Sequence, residues 1–264
     1  MNLVSSLWRH RFLIWQLTKR EVIGRYRGSV MGLMWSFLNP VLMLAVYTFV
    51  FTVVFRARWG GESDSQSEFA VVLFAGMIIH GLFAECANRA PGLILNNVNY
   101  VKKVVFPLEI LPWVTLGSAL FHAGVSFAVL LLFYAVIHAA LHWTAIFLPV
   151  LILPLALLTM GVAWFLASIG VFVRDVGQSI GIVTTIMLFL SPVFYPVSAL
   201  PAHFRSLMLL NPLTFVIEQV RSVLIWGGMP NWTGLVAYLL CSLVVAWAGF
   251  MWFQKTRKGF ADVL

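Results

Sequence analysis

The amino-acid sequence predicts an all-α integral membrane protein, and three observations support this fold class. The 264 residues are 61% hydrophobic and only 10% charged. Between Glu109 and Arg174, 64 consecutive residues contain no Asp, Glu, Lys or Arg. Because one bilayer crossing takes about 20 apolar residues, this block is long enough for two crossings joined by a turn at residues 139–144.

Charge-free blocks bounded by polar or charged clusters predict six membrane spans in total. We number them one to six, and they cover residues 34–55, 69–90, 113–138, 146–172, 178–195 and 232–253. Residues 1–33 are predicted to form a cytoplasmic segment, and residues 34–264 the membrane domain. The spans are apolar on all sides, so hydropathy rather than helical periodicity indicates their positions.

The distribution of Lys and Arg predicts the orientation, because these residues stay preferentially on the cytoplasmic side of short loops. With the amino terminus inside, 13 of the 17 cationic residues fall in cytoplasmic segments. The four on the outer side are Arg56, Arg58, Arg205 and Arg221. Both termini are therefore predicted to be cytoplasmic, and topology accounts for most of the net charge of +8. Nothing in the sequence resembles a nucleic-acid-binding module.

The segment before span one has the pattern of an amphipathic helix lying at the membrane surface. Apolar residues recur there at helical spacing, and cations occupy other faces of the same helix. The apolar set is Val4, Leu7, Trp8, Phe12 and Trp15, and the cations are Arg9, Arg11 and Lys19. The alternative is an ordinary positively charged flank of span one.

Three glycines follow at four-residue spacing, at Gly24, Gly28 and Gly32. If the helix continued through them, they would share one face, and another helix could approach that face closely.

The longest polar loop on the inner side covers residues 97–112. Lys102 and Lys103 lie next to the apolar residues Val104, Val105 and Phe106, and two prolines follow. This pattern is typical of a short helix that lies at the bilayer surface or binds in the groove of a partner. A basic loop that only sets topology is the alternative.

The outer segment, residues 196–230, is too long for a turn and too broken for a span. Prolines and a Gly227-Gly228 pair divide its apolar runs, which favours short re-entrant or interfacial helices between spans five and six. Such helices would cap the outer end of a pathway. Glu218 and Arg221 are three residues apart and would pair on one helix face, either inside the protein or in solvent.

Few residues have the chemistry of an active site. No Gly is followed by Lys, so the phosphate loop of ATPases is absent from the sequence, and any ATP would be hydrolysed by another chain. The six His residues show no metal-ligand spacing, so no metal site is predicted. Glu85 and Arg89 lie one turn apart in span two and predict an internal ion pair or a cytoplasmic gate contact. Otherwise the spans contain almost no charge, which argues against a proton-coupled carrier.

Five stretches give the chain a family resemblance. They are RYRGSVMGLMWSFLNP at 25–40, NVNYVKKVVFPLEILP at 97–112, FVRDV at 172–176, SPVFYP at 191–196 and LNPLT at 210–214. In this order they resemble ABC-2 type permeases, particularly those that export bacterial cell-surface polysaccharides such as O-antigen, capsule or teichoic acid. The resemblance covers nearly the whole chain.

The resemblance implies a transport subunit in the bacterial cytoplasmic membrane that is not itself an enzyme. It implies a homodimer that works with two copies of an ABC ATPase subunit, in contact with membrane lipids, and exports a lipid-linked polysaccharide. ATP and Mg would bind to the ATPase, and this chain would bind no cofactor.

The resemblance also implies three sets of site residues. The ATPase-coupling loop would contain Asn97, Asn99, Tyr100, Val101, Lys102, Lys103, Phe106 and Pro107. The cytoplasmic entrance would be formed by Arg25, Tyr26, Arg27, Gly28 and Gly32. Aromatic rings of spans one and five would line the channel, because their flat faces suit a sliding sugar chain; these are Trp35, Phe37, Tyr47, Phe49, Phe51, Phe189, Phe194 and Tyr195. The same rings are also typical of interfacial belts and helix contacts.

Two other functions fit the residues. One is an ABC-2 permease for a drug or a small lipid, which would share the six-span plan. The other is a passive channel or an ion-coupled carrier, which would need no ATPase.

Overall fold

A computed structural model describes residues 3–55, 66–102, 106–208 and 210–264, and every regular element within these ranges is a helix. The all-α prediction is thus confirmed. The α-helices are α1 Leu3–Arg25, α2 Trp35–Tyr47, α3 Gln66–Arg89, α4 Val98–Lys102, α5 Leu111–His138, α6 Leu148–Phe172, α7 Val176–Leu190, α8 Ala202–Met208, α9 Pro212–Leu224, α10 Trp232–Thr256 and α11 Phe260–Val263. Predicted positions that lie outside the described residues are Arg56, Arg58, Lys103, Val104 and Val105.

Within the described ranges, five helical segments are long and apolar enough to cross a membrane, when the short 3₁₀ and π turns at their ends are included. They are Gly32–Phe51, Phe69–Gly92, Leu108–His138, Trp143–Phe172 and Trp232–Val263. These segments correspond to predicted spans one, two, three, four and six. The chain is therefore a multi-pass membrane protein.

Predicted span five, at residues 178–195, corresponds to the shorter helix α7. Its 15 residues extend about 22 Å at 1.5 Å each, which is less than the roughly 30 Å of a bilayer core. The helix ends at Leu190 because Ser191 precedes a proline, and the α conformation is disfavoured there. Ser191 accordingly has extended backbone angles, with φ −93° and ψ 152°.

The turn between α5 and α6 lies where the sequence predicts it. Ala139 ends α5 in the left-handed conformation, with φ 53°. A 3₁₀ turn at Trp143–Phe147 then leads into α6, and the Thr144 hydroxyl at its start donates to the Val223 carbonyl at 2.6 Å.

Helix α3 lies at the centre of the bundle and packs against α2, α5, α6, α7 and α9. In its apolar stretch 83% of the residues are buried, whereas in the segment that contains α2 only 11% are buried. The core is therefore built around predicted span two, and predicted span one lies at the edge of the protomer.

Helices α6 and α10 approach each other at two glycines. A Cβ added to Gly249 would lie 2.1 Å from the carbonyl oxygen of Gly161, far inside van der Waals contact. A Cβ on Gly161 would lie 2.4 Å from the Val245 carbonyl oxygen. Only glycine permits this separation, and close small-residue contacts of this kind hold helices together in membranes, where helix contact itself buries no apolar surface from water.

The predicted glycine face at residues 24–32 is wrong. Helix α1 ends at Arg25, and Gly28 and Gly32 have φ values of 87° and 51° in the turn that leads to α2. No neighbouring atom lies within 4 Å of a Cβ built at Gly24, Gly28 or Gly32. The two later glycines serve backbone conformation, because L side chains rarely adopt positive φ.

Candidate functional site

Four charged side chains join α1 to α3 at one end of the molecule. Arg25 of α1 donates to the Glu85 carboxylate of α3. Arg89 of α3 donates to Glu21 of α1 and also to Oε1 of Glu85, the latter at 3.3 Å. The predicted Glu85–Arg89 pair is thereby confirmed. The two partners on α1 were not predicted, because they lie at least 60 residues away in the sequence.

A cavity of about 250 Å³ lies beside this network, between α2, α3 and α5. Its lining includes Arg25 and Glu85 of the network, His122 of α5 and Tyr47 of α2. The Tyr26 hydroxyl lies 3.4 Å from His122 Nδ1, and the two rings meet edge to face at 5.9 Å. Burial raises the pKa of Tyr26 above its ordinary value, so its hydroxyl keeps its proton.

The predicted entrance residues lie around this cavity and the turn beside it. Arg25 and Tyr26 line the cavity, and Arg27 is exposed on the turn between α1 and α2. Gly28 and Gly32 shape that turn through their positive φ values. Two entrance residues and the predicted lining residue Tyr47 are therefore brought together.

The predicted coupling segment contains the short helix α4. Tyr100 stacks on Phe106, with ring centroids 4.3 Å apart and an interplanar angle of 12°. Arg20 of α1 donates to the Tyr100 hydroxyl at 3.3 Å, and Lys102 donates to the backbone carbonyl of Leu264. The segment is thus attached both to α1 and to the end of the chain.

The residues of the coupling segment differ in how far they are exposed to solvent. Asn99 and Lys102 are exposed, whereas Val101 is half-buried and packs against the core. Asn97 and Pro107, at the two ends, are also half-buried. A polar face of α4 therefore points out of the protein.

Glu109 is a buried carboxylate that the sequence analysis did not single out. Its Oε2 accepts from Arg257 at 3.0 Å, and its Oε1 accepts from the Ser6 hydroxyl at 3.4 Å. Its backbone carbonyl accepts from the Trp164 indole at 3.0 Å. The available signal was its position, as a lone acid between Pro107 and Pro112 at the start of the longest charge-free block. Glu109 links α1, α6 and the segment after α10 to the start of α5.

At the opposite end, Arg221 of α9 is fully buried. Its guanidinium donates to the carbonyl oxygen of Val72 at 3.0 Å, to that of Val193 at 3.1 Å and to that of Pro192. It also pairs with Glu218 at 3.1 Å, which confirms the predicted pair and shows that its cation is internal. Arg221 ties α9 to α3 and to the turn after α7.

Helix α7 is attached to α3 by two polar contacts. The Thr184 hydroxyl donates to Asn88 Oδ1 at 3.0 Å, and the Thr184 carbonyl lies 2.9 Å from Nε2 of His80. The outward side of α7 is apolar and exposed.

The predicted channel-lining rings of span one lie on different surfaces. Tyr47 faces α3, with its ring 6.3 Å from that of Phe74, and Phe51 stacks on Phe69 at 5.3 Å. Phe37 instead borders a groove against α5. Trp35 and Phe49 are exposed.

The lining rings predicted around span five form a small cluster at the end of α7. Phe189 stacks on Phe194, with centroids 5.6 Å apart. The Tyr195 hydroxyl donates to the Phe189 carbonyl at 2.6 Å. Phe189 is itself exposed on α7, so this cluster lies at the edge of the protomer.

These features define a class of protein, namely an all-helical multi-pass membrane protein with an exposed polar helix at one end. A family model described as ABC-2 type transporter matches residues 12–225, most of the chain. The chain therefore belongs to the ABC-2 type transporter family.

Three relatives are similar over nearly their whole length. An O-antigen export system permease protein of Myxococcus xanthus is 30% identical, and the match covers 99% of each chain. A capsule polysaccharide export inner-membrane protein of Neisseria meningitidis serogroup B is 26% identical, over 97% of this chain and 95% of the relative. A polysialic acid transport protein of Escherichia coli is 23% identical, over 90% and 91%.

Proposed function

We propose that this chain is the membrane-spanning subunit of an ATP-driven transporter that exports lipid-linked cell-surface polysaccharide across the bacterial cytoplasmic membrane. The observation that carries the proposal is the end-to-end similarity to an O-antigen export permease, at 30% identity over 99% of both chains. Two relatives named for capsule polysaccharide and polysialic acid transport match over nine-tenths or more of this chain. The similarity therefore includes the coupling segment and the outer segment as well as the long spans.

A sixth crossing, by α7, is part of the proposal. Helix α6 ends beside the last segment of the chain, where the rings of Phe172 and Phe260 are 5.9 Å apart. Helix α10 begins at the opposite end, where Trp232 packs edge to face on Phe147 at 5.4 Å. Residues 173–231 must therefore pass from one end of the bundle to the other. Among the described helices on that path α7 is the longest, and it packs along α3.

Contacts at one end of the protein support the proposal that both termini lie on the cytoplasmic side. Glu109 is bonded both to Ser6, near the start of the chain, and to Arg257, near its end. Lys102 of the coupling segment is bonded to Leu264. The basic residues of residues 1–33 and 255–258 are therefore on one side, which the positive-inside rule assigns to the cytoplasm.

The first helix and the outer helices fit the interfacial and re-entrant roles that we propose for them. Trp8, Phe12 and Trp15 are each about 70% exposed, and the Arg11 guanidinium lies 4.7 Å from the centroids of the Trp8 and Phe12 rings. Exposed aromatic and cationic side chains of this kind favour the headgroup region of a membrane. Helices α8 and α9 have 7 and 13 residues, too few for a crossing.

We further propose that two copies of the chain enclose the pathway and that each binds one ABC ATPase subunit, which holds ATP and Mg. Exposed apolar side chains on α7 and on the segment formed by α2 and the π-helical turn after it, among them Phe189 and Phe49, offer a surface for the second copy. The outward Asn99 and Lys102 of α4 offer a polar docking point for the ATPase. Arg25, Glu85 and Tyr26 would border the cytoplasmic entrance.

Deletion of the gene tests the export function. We expect loss of long surface polysaccharide together with accumulation of lipid-linked polysaccharide inside the cell, both restored by the wild-type gene on a plasmid. An unchanged surface without internal accumulation would refute the polysaccharide substrate and leave a drug or small lipid as cargo. Export that continued in vesicles without ATP would favour a channel or an ion-coupled carrier.

Charge reversal tests the coupling segment. The variant K102E places an acid on the exposed end of α4 and is expected to reduce co-purification of the ATPase. The matched control is R205E, which reverses an exposed cation at the opposite end of the protein. Equal co-purification of the ATPase with both variants would contradict the assignment of α4 as its docking point.

A further inference from the structure

The last turns of α10 have an open groove on their outward side. Its volume is about 600 Å³. The apolar part is formed by Trp247 and Met251, and Trp252 lies beside them. Lys255 and Lys258 line the end that is nearest to the end of the helix. All five side chains are exposed.

Helix geometry directs this groove away from the protein. Trp247, Met251 and Lys255 are spaced by four residues and form one stripe along α10. Gly249 and Phe253 occupy the other side of the helix and are buried. The groove is therefore open to the surrounding lipid, and the Trp252 ring, which lies 5.7 Å from that of Phe165 on α6, borders it.

At the cationic end of the groove, the ammonium groups of two lysines have no partner within the described part of the chain. Among the described residues, neither Lys255 nor Lys258 has an ion pair or a side-chain hydrogen bond. Arg257, between them, is instead occupied by Glu109.

Gln254 also lines the groove, beside the two lysines. Its Oε1 accepts from Arg257 at 3.0 Å, and this contact sets the orientation of the amide because an arginine only donates. Its Nε2 is buried and has no hydrogen-bond partner in the described part of the chain.

We propose that this groove binds one anionic phospholipid. Lys255 and Lys258 would bind the headgroup phosphate. From Lys255 to Trp247 the helix rises about 12 Å, so the first half of an acyl chain would lie on Trp247 and Met251. Two cations without partners favour an anionic headgroup over a zwitterionic one. The site goes beyond the proposed export function, since it concerns a resident lipid and not the cargo.

The test measures lipid retained by purified full-length protein in native mass spectrometry, after titration with phosphatidylglycerol or phosphatidylcholine of equal chain length. We expect preferential retention of phosphatidylglycerol. The variant K255Q/K258Q should weaken retention by about fivefold per lysine, or about twenty-five-fold in total. The control K19Q/R174Q removes two exposed cations elsewhere, with the same change in net charge, and should leave retention unchanged.

Two further measurements separate the parts of the site. The variant W247A should weaken retention of both lipids without changing their ratio, because it shortens only the apolar wall. Glycerol phosphate, the headgroup fragment alone, should not displace the bound lipid at millimolar concentration. Displacement by it would indicate a simple anion site and overturn the lipid assignment.

Equal retention of the two lipids, or equal loss in K255Q/K258Q and the control, would also overturn the proposal. The same spectra report oligomeric state, so dissociation of a dimer in K255Q/K258Q would assign the groove to a second copy of the chain. The measurement needs no transport, and an export defect or its absence does not affect its outcome.

Discussion

The ion pair between Glu109 and Arg257 allows a sharp test of how the end of the protein that contains α4 is held together. The perturbations are E109Q, R257M and the double variant. The two partners differ in environment, because the Glu109 side chain is 2% exposed and that of Arg257 is 41% exposed. Removing one partner therefore has a different consequence from removing the other.

In R257M the carboxylate stays buried with only the Ser6 hydroxyl as donor, and breaking a buried pair in this way costs about 3–5 kcal/mol. In E109Q the guanidinium is left half-exposed, where water solvates it, and the loss is that of a charge-assisted hydrogen bond, about 1.5–3 kcal/mol. Once Gln occupies position 109, replacing Arg257 as well should cost only about 0–1 kcal/mol more, as for an exposed charge.

The assay is thermal unfolding of the purified protein in one detergent. At about 2–4 °C per kcal/mol, R257M should lower Tm by roughly 6–20 °C and E109Q by roughly 3–12 °C, with the double variant close to E109Q. Arg174, an exposed cation elsewhere in the protein, gives the control R174M, which should change Tm by no more than about 2 °C. A Tm for E109Q at or below that of R257M, or additive losses in the double variant, would refute the reasoning.

Three further tests concern helix packing, a buried cation and a turn, and the first two compare a variant with a matched control. G249A places a methyl group against the backbone of α6 and should destabilise the protein by about 1–3 kcal/mol. G124A has open space around its Cβ and should stabilise the protein by about 0.4–1 kcal/mol. The sign of the change in Tm checks both predictions. R221M leaves buried carbonyl acceptors without a donor, each worth about 1–3 kcal/mol, so its Tm should fall well below that of R205M at an exposed position. G28A forces a side chain into φ 87° and should cost about 1–2 kcal/mol, so an unchanged Tm would contradict the left-handed turn between α1 and α2.

Hydropathy was enough to locate the long spans, because lipid imposes a length and an absence of charge that can be counted along the chain. It placed the end of helix α7 too late in the chain, because that end depends on Pro192. The glycines at 28 and 32 were assigned to a helix face because their four-residue spacing fits a helix as well as it fits two separate turn positions. Only the backbone angles distinguish the two cases.

For the site residues, too, the sequence predicted contacts within one helix but not contacts between distant segments. The Glu85–Arg89 pair was predictable because its members lie one turn apart on a single helix. The partners Arg25 and Glu21, and the Glu109–Arg257 pair, join segments that are 60 to 148 residues apart. A single sequence contains no periodicity that connects such positions, so their pairing required the packed structure.

From the sequence alone came the membrane class, the approximate positions of the five long spans, a prediction of the side on which the basic segments lie, and the resemblance to polysaccharide export permeases, because composition and local order carry each of these. Tertiary structure decided which charges are buried, which helix is central and which aromatic rings share a surface. Those properties depend on helix rotation and contact, and helices that are apolar on every side carry no pattern that specifies either. The sequence predicted the pairing of Arg221 with Glu218, but only the structure shows that Arg221 is buried and joins α9 to α3 and to the turn after α7.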